Sequence, residues 1–240
     1  MFQNTVKGID KIFQTNNYQK LTILVTGYAG TLKSTFVYAT MSKYLEQHPN
    51  KIAMYATMEQ QKESLLSNIK NIGIKECDNV HVADYNRTRD MYKNESESAD
   101  FLDLTERLIV STKEEHGADF CLFALDSINS LYTLINTDKQ KDIRKRIYYF
   151  FKLLRDNDLT SFIIKETQRP MNTVYSEAVD EAFLVDGIIE LGVKRIGDSK
   201  KRYIEVPKMR QNEHSMKAHI LEVKNGISIL GPSVDDMVRD

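Results

Sequence analysis

Apolar residues in this chain fall into short β-branched runs that alternate with stretches of helical period, and this alternation predicts the fold before any motif is considered. The run Leu21 to Thr26 (LTILVT) precedes a glycine-bearing turn and an apolar-periodic stretch from Ser34 to Leu45, which predicts strand, turn and helix. Lys51 to Thr57 (KIAMYAT) reads as a second buried strand. Glu59 to Ile72 reads as a helix with Leu65, Leu66, Ile69 and Ile72 on one face. Residues 84–100 (DYNRTRDMYKNESESAD) are polar and charged with no periodic face, the pattern of an exposed insertion. Leu102 to Glu115 is amphipathic and ends at Gly117. It leads into Phe120 to Leu125 (FCLFAL), the most apolar segment, which is capped by Asp126 and expected at the centre of the sheet. Lys139 to Arg155 predicts a long helix with a basic outer face, and Thr160 to Lys165 another buried strand.

After Pro170 the texture changes. Gly187 to Lys194, Arg202 to Lys208, Ala218 to Val223 and Ile227 to Leu230 are short alternating segments with turn residues between them, including Gly197-Asp198 and Asn225-Gly226. The expected class is therefore α/β: a mostly parallel sheet with helices on both faces, extended at one edge by C-terminal antiparallel hairpins. Without a repeat or a Pro/Gly/Ser linker, residues 1–240 read as one domain, with 84–100 as the insertion and 233–240 as a flexible tail.

Composition narrows the class of function. The chain has 240 residues, a formal net charge of −1, 41% hydrophobic and 28% charged residues. Its longest apolar runs fall far short of the roughly 20 residues that span a bilayer, and its first residues, MFQNTVKGID, contain no apolar signal stretch. A cytoplasmic protein with no membrane insertion is expected. Cys77 and Cys121 have no metal-ligand spacing, and near-zero charge gives no electrostatic case for non-specific nucleic-acid binding. Only ten glycines occur in the chain, yet Gly27 and Gly30 lie within four positions of each other.

Those glycines belong to Gly27-Tyr28-Ala29-Gly30-Thr31-Leu32-Lys33-Ser34, followed by Thr35, between a strand and a helix. That is the context of a phosphate-binding loop. Backbone N–H groups and a helix N-terminus face phosphate oxygens, a lysine reaches the β and γ phosphates, and a hydroxyl is available to Mg²⁺. Lys33 and Ser34 suit the last two roles, whereas Leu32 stands where glycine usually precedes the lysine. A glycine-containing turn with a coincidental Lys-Ser is the plainer alternative. Asp126, at the tip of a buried strand expected beside the loop strand, suits a Mg²⁺-holding carboxylate or a simple strand terminator. Glu59, just past the second strand, suits a general base that polarises water or a charge that complements a helix N-terminus.

In order along the chain, GYAGTLKS, ATMEQ, FALDSINSL and PKMRQNEHSMK resemble the KaiC-like branch of the RecA-type ATPases. The resemblance runs from Val6-Lys7-Gly8-Ile9-Asp10 to GISILGP near the end. It implies a RecA-type core, assembly into a homo-oligomeric ring, often hexameric, and ATP bound between neighbouring subunits. It also implies phosphate contacts from Gly27 to Thr35, Mg²⁺ contacts from Ser34 and Asp126, and water activation by Glu59. Lys208 and Arg210 would reach the neighbour's nucleotide, and His214 matches a family histidine on the same segment. Glu59 is followed by Gln60 where the family often has a second acid, so slow hydrolysis is expected. Ala182-Phe183 stand where clock-type members carry a phosphorylated pair, which disfavours self-phosphorylation. Thr173, Tyr175 and Ser176 read as loop polars.

Three functions are in contention. One is an ATPase whose assembly state follows its nucleotide and which acts on a protein partner not named by the sequence. Another is a nucleotide-sensing ring subunit with little turnover, like the ATP-binding subunit of the archaeal flagellar motor. The weakest is a recombinase-like DNA-binding module, because Glu166 to Asp186 carries Arg169 alone against Glu166, Glu177, Asp180, Glu181 and Asp186. The basic face of Lys139, Lys141, Arg144, Lys145 and Arg146 is the only feature that favours DNA.

Overall fold

The computed structural model describes residues 2–14, 20–85, 100–134, 140–167, 181–196 and 198–232. A nine-stranded sheet runs through it in the order β3-β2-β4-β5-β1-β6-β7-β8-β9. The strands are β1 (Thr22–Gly27), β2 (Ile52–Thr57), β3 (Val80–Asp84), β4 (Phe120–Asp126), β5 (Thr160–Glu166), β6 (Gly187–Ile196), β7 (Ser199–Met209), β8 (His219–Val223) and β9 (Ile227–Pro232). The first six in chain order run parallel to one another; β7, β8 and β9 add antiparallel pairings beyond β6.

Among the described residues five α-helices cover the two faces: α1 (Lys33–Gln47), α2 (Lys62–Asn71), α3 (Phe101–His116), α4 (Ile128–Leu134) and α5 (Gln140–Asp156). Alternation along β1 sorts them. Ile23 and Val25 pack with Phe36, Val37, Leu65 and Ile69 of α1 and α2. Leu24 packs with Phe101, Ile109, Leu131, Ile147 and Phe150 of α3, α4 and α5. The N-terminal segment closes the first of these faces: Phe2 stacks on Phe13 at 4.2 Å and meets Phe162 edge-on.

The alternation of strands and helices expected from sequence is present, with three differences. The strand Val80–Asp84 was unexpected; it is a short edge strand whose residues are mostly half-buried, so it lacks the apolar run that marks interior strands. The apolar β4 is flanked by β2 and β5, but the middle of the nine strands is β1, because the antiparallel strands extend one side only. The helix expected from Glu59 starts later, at Lys62, because Gln61 is extended (φ −65°, ψ 150°) and Thr57 Oγ1 donates to Gln60 O at 2.7 Å.

The polar insertion is bounded by structure on both sides. Tyr85 is buried, and Asp100 caps α3 by accepting from Leu102 N at 3.0 Å; residues 86–99 lie outside the described residues, as do 233–240. In the last hairpin Asn225 (φ 51°) and Gly226 (φ 110°) both take the left-handed conformation that a tight two-residue turn needs.

Candidate functional site

The loop between β1 and α1 is built around Tyr28 O. That carbonyl accepts from Thr31 Oγ1 at 2.8 Å, from Thr31 N at 3.3 Å and from Lys33 Nζ at 2.9 Å. The two glycines serve different purposes. A Cβ on Gly27 would stand 2.1 Å from Leu191 O of β6, so this glycine lets the loop strand pass its neighbour. Gly30 has φ 78° and faces open space, with nothing within 4 Å of a Cβ built there.

Leu32 carries the feature most at odds with the usual motif. It takes the left-handed conformation, φ 76° and ψ 26°, at the N-cap of α1. Glycine is the residue suited to that backbone. The leucine is retained with its side chain partly buried against the α1/α2 core cluster, at the wall of a cleft that it shares with Leu65 and Ile69. The start of α1 has no side-chain cap and no acidic residue in its first turn. Its unpaired N–H groups and positive dipole end are thus left for an anion.

The cleft, about 440 Å³, opens at the C-terminal ends of the parallel strands and is lined by Ala29, Gly30, Leu32, Lys33, Ser34 and Thr35 together with Glu59, Gln60, Asp126, Ser127 and Glu166. Gly27, Tyr28 and Thr31 shape the loop without lining it. Asp126 is almost fully buried, and β5 separates its strand from β1, so the two strands lie about 9–10 Å apart rather than adjacent as the sequence suggested. Tyr55 Oη donates to Asp126 Oδ2 at 2.7 Å. Burial pushes the Asp126 carboxyl above its ordinary range, while hydrogen bonds from Ser34 and Tyr55 and the charge of Lys33 pull it back. Burial and the neighbouring carboxylate push the Tyr55 phenol well up, so it serves as the donor of that pair.

Glu59 is not at a helix start. It lies between β2 and α2, and its Oε1 accepts from Ser127 Oγ and, at 3.3 Å, from Ser130 Oγ. Lys33 Nζ lies 3.7 Å from Glu166 Oε2. Asn129 clamps the Glu166 backbone on both sides: its Oδ1 accepts from Glu166 N at 2.7 Å and its Nδ2 donates to Glu166 O at 3.1 Å. Tyr55, Ser127, Asn129, Ser130 and Glu166 were not singled out as site residues from sequence. A tyrosine inside an otherwise apolar strand did carry a signal, because its hydroxyl needs a buried partner.

Lys208, Arg210 and His214 do not line this cleft. Lys208 pairs with Ile188, which pairs with Leu24; it is thus two strands across from β1 and about 10 Å back from the end of that strand. Its Nζ donates to Ala182 O at 2.6 Å and Val185 O at 2.8 Å. Arg210 Nη1 lies 3.6 Å from Asp186 Oδ1. His214 bridges to Phe13 of the N-terminal segment, and its Nδ1 contacts Asn212 O at 3.2 Å.

Among the described residues no group of three or more His, Cys, Asp or Glu is placed to hold a metal ion by itself. The donor set fits Mg²⁺ nonetheless, since that ion is usually bound by one or two protein oxygens plus substrate phosphates and waters. The cleft also fits a phosphorylated ligand: an uncapped helix end, an open glycine and a buried lysine face it together.

The sequence profile of the KaiC ATPases matches residues 2–234. The chain belongs to the KaiC family of ATPases. A KaiC-like protein from the hyperthermophilic archaeon Pyrococcus horikoshii OT3 has a similar structure, with a TM-score of 0.74 at 22% identity over 95% of this chain and 97% of that one. No curated protein matches the chain. Membership supports the coarse assignment of a P-loop ATPase that binds ATP, and the Pyrococcus structure supports the RecA-type fold. No described helix is long and apolar enough to cross a membrane.

Of the basic residues expected on α5, Arg146 has a structural role. Arg146 pairs with Asp100 and, at 2.8 Å, with Asp103, which ties α5 to the start of α3. Lys139 and residues 168–180, which include Arg169, Thr173, Tyr175 and Ser176, lie outside the described residues.

Proposed function

We propose that this KaiC-family protein is a Mg²⁺-dependent ATPase that hydrolyses ATP at an interface between copies of itself and couples nucleotide state to assembly or to a protein partner. The observation that supports this best is the convergence of Lys33, Ser34, Asp126 and Glu59 on one cleft at the carboxyl ends of parallel strands, where open α/β sheets bind ligands.

In this reading the first turn of α1 and the loop amides bind the phosphates, and Lys33 exchanges its contact with Tyr28 O for one with them. Ser34 and Asp126 hold Mg²⁺, which when bound neutralises charge on the β and γ phosphates. Glu59 orients the attacking water and takes its proton, with Ser127 and Ser130 fixing the carboxylate. Lys208 and Arg210 stand too far from their own chain's cleft, so they serve a neighbour's, where added positive charge stabilises the transition state.

A second reading, a nucleotide-sensing ring subunit with little turnover, is favoured by one observation: a Glu59 oxygen already accepts from two serines, and Gln60 follows it. Titration of a fluorescent ATP analogue with Mg²⁺ into wild type and Lys33→Ala tests the site; equal affinity overturns it. Mass in solution with and without ATP, measured beside phosphate release, separates the two readings. An ATPase shows release that rises with protein concentration and is lost in Arg210→Ala. A sensor assembles with ATP and releases almost none.

A further inference from the structure

Helix α4 has only seven residues, yet contacts made on it and at its entry reach three separate parts of the molecule. Ser127 and Ser130 hold Glu59, and Asn129 clamps the backbone of Glu166. Tyr132 Oη donates to Glu181 Oε1.

Glu181 is fully buried, and its other oxygen accepts from Lys165 Nζ of β5. A buried carboxylate persists only when paired and hydrogen-bonded; here the pairing fixes the start of the short Glu181–Phe183 turn. One residue on, Ala182 O accepts from Lys208 Nζ, which Val185 O also holds. Contacts therefore run without a gap from Glu59 and Glu166 in the cleft, through α4 and Glu181, to the ammonium of Lys208 on the far side of β6.

We propose that Tyr132 and Glu181 are positioning residues for Lys208: they fix the turn whose Ala182 carbonyl, with that of Val185 just after it, aims the ammonium, and α4 joins that turn to the carboxylates of the same chain's cleft. The proposal rests on the reading that Lys208 serves the site of a neighbouring copy. A change at Glu181 then spares ATP binding in its own chain and impairs turnover in the neighbour's.

Subunit mixing tests this with full-length chains. Glu181→Gln alone is expected to lower phosphate release about tenfold, within the range that positioning contacts contribute, while its affinity for a fluorescent ATP analogue stays within about twofold. Lys33→Ala lacks a working site but carries an intact Lys208. Mixing it with Glu181→Gln restores release above that of either variant alone, because the intact sites receive Lys208 from the other subunit. Tyr132→Phe, which removes one hydroxyl and keeps the ring, repeats the experiment with less disturbance of the core, and melting curves identify a variant that has not folded.

Lys208→Ala mixed with Lys33→Ala is the control. If that control recovers and neither Glu181→Gln nor Tyr132→Phe does, the positioning role is overturned while the interface reading stands. If the control does not recover, the interface reading falls and this proposal falls with it.

Discussion

Replacing Leu32 by glycine separates what the loop's backbone needs from what its side chain contributes. Leu32 holds φ 76°, ψ 26°, a conformation that costs a residue with a Cβ about 1–2 kcal/mol. Glycine removes that strain, but two losses oppose the gain. The leucine is partly buried on the α1/α2 cluster, and half the burial of a leucine side chain is worth about 1 kcal/mol. Glycine also widens the unfolded ensemble by about 0.4–1 kcal/mol. The terms nearly cancel, leaving Leu32→Gly between about 0.6 kcal/mol more stable and about 1 kcal/mol less stable than wild type, a Tm change between about +2 and −4 °C for a chain of this size. ATP affinity should change less than about threefold, or ~0.7 kcal/mol, because the backbone already has the conformation glycine prefers and the leucine side chain packs on the cluster. Thermal melting and titration of a fluorescent ATP analogue check both. A tenfold gain in affinity would show that the leucine obstructs the phosphates, and a Tm raised by several degrees would show that its packing contributes nothing.

Glu166→Gln should tighten ATP binding. At 3.7 Å from Lys33 the gross Coulomb energy is about 4 kcal/mol at an effective dielectric of 20, but Glu166 is 43% exposed, which reduces it to about 1 kcal/mol, or about fivefold in Kd; an unchanged Kd refutes the competition for Lys33. Asp126→Asn should raise Tm at neutral pH while abolishing the Mg²⁺ dependence of binding. Because burial raises the folded-state pKa of Asp126 above its ordinary 3.8, the folded state binds the proton more tightly and stability falls as pH climbs from that value through the folded pKa. The gain from Asn therefore shrinks as pH is lowered toward 4, and a gain independent of pH would assign it to some other cause. Gly27→Ala should destabilise by more than about 3 kcal/mol through the clash with Leu191 O, measured by urea denaturation; a loss below ~1 kcal/mol would mean that β6 yields readily.

The sequence displayed the sheet well wherever strands are buried on both faces. LTILVT, KIAMYAT, FCLFAL and TSFIIK all became strands within a residue or two of their expected ends, because continuous apolar runs are what two helical layers demand. β3 escaped notice because an edge strand needs no such run. α4 escaped because seven residues that include an asparagine, a serine and a threonine look like a loop until Asn129 and Ser130, with Ser127 just before them, are seen to hold Glu59 and Glu166. The loop and its lysine could be read from local spacing. That Asp126 sits on Tyr55, or that Glu166 faces Lys33, depends on residues 71 and 133 positions apart in the chain meeting at one sheet, which local pattern cannot encode.

The two C-terminal cations also differ in a way their shared triplet conceals. A lysine or arginine side chain extends about 6–7 Å, less than the separation of Lys208 from its own cleft, about 10 Å back and two strands across. Under the proposed function, the direct action of Lys208 on a γ-phosphate is therefore on another copy's nucleotide. Arg210 is half exposed and lies 3.6 Å from Asp186, a contact worth about 0–1 kcal/mol that an interface can readily exchange. Lys208 is held by the Ala182 carbonyl of the turn that Glu181 anchors and by the Val185 carbonyl just after it. Arg210→Ala should therefore leave Tm within about 1–2 °C of wild type while reducing assembly-dependent turnover. Lys208→Ala should lower both, because it also removes the hydrogen bonds its ammonium donates to the Ala182 and Val185 carbonyls. Equal losses of stability in the two variants would refute this division, and with it the idea that one cation is aimed by its own chain while the other is free to be captured by the next.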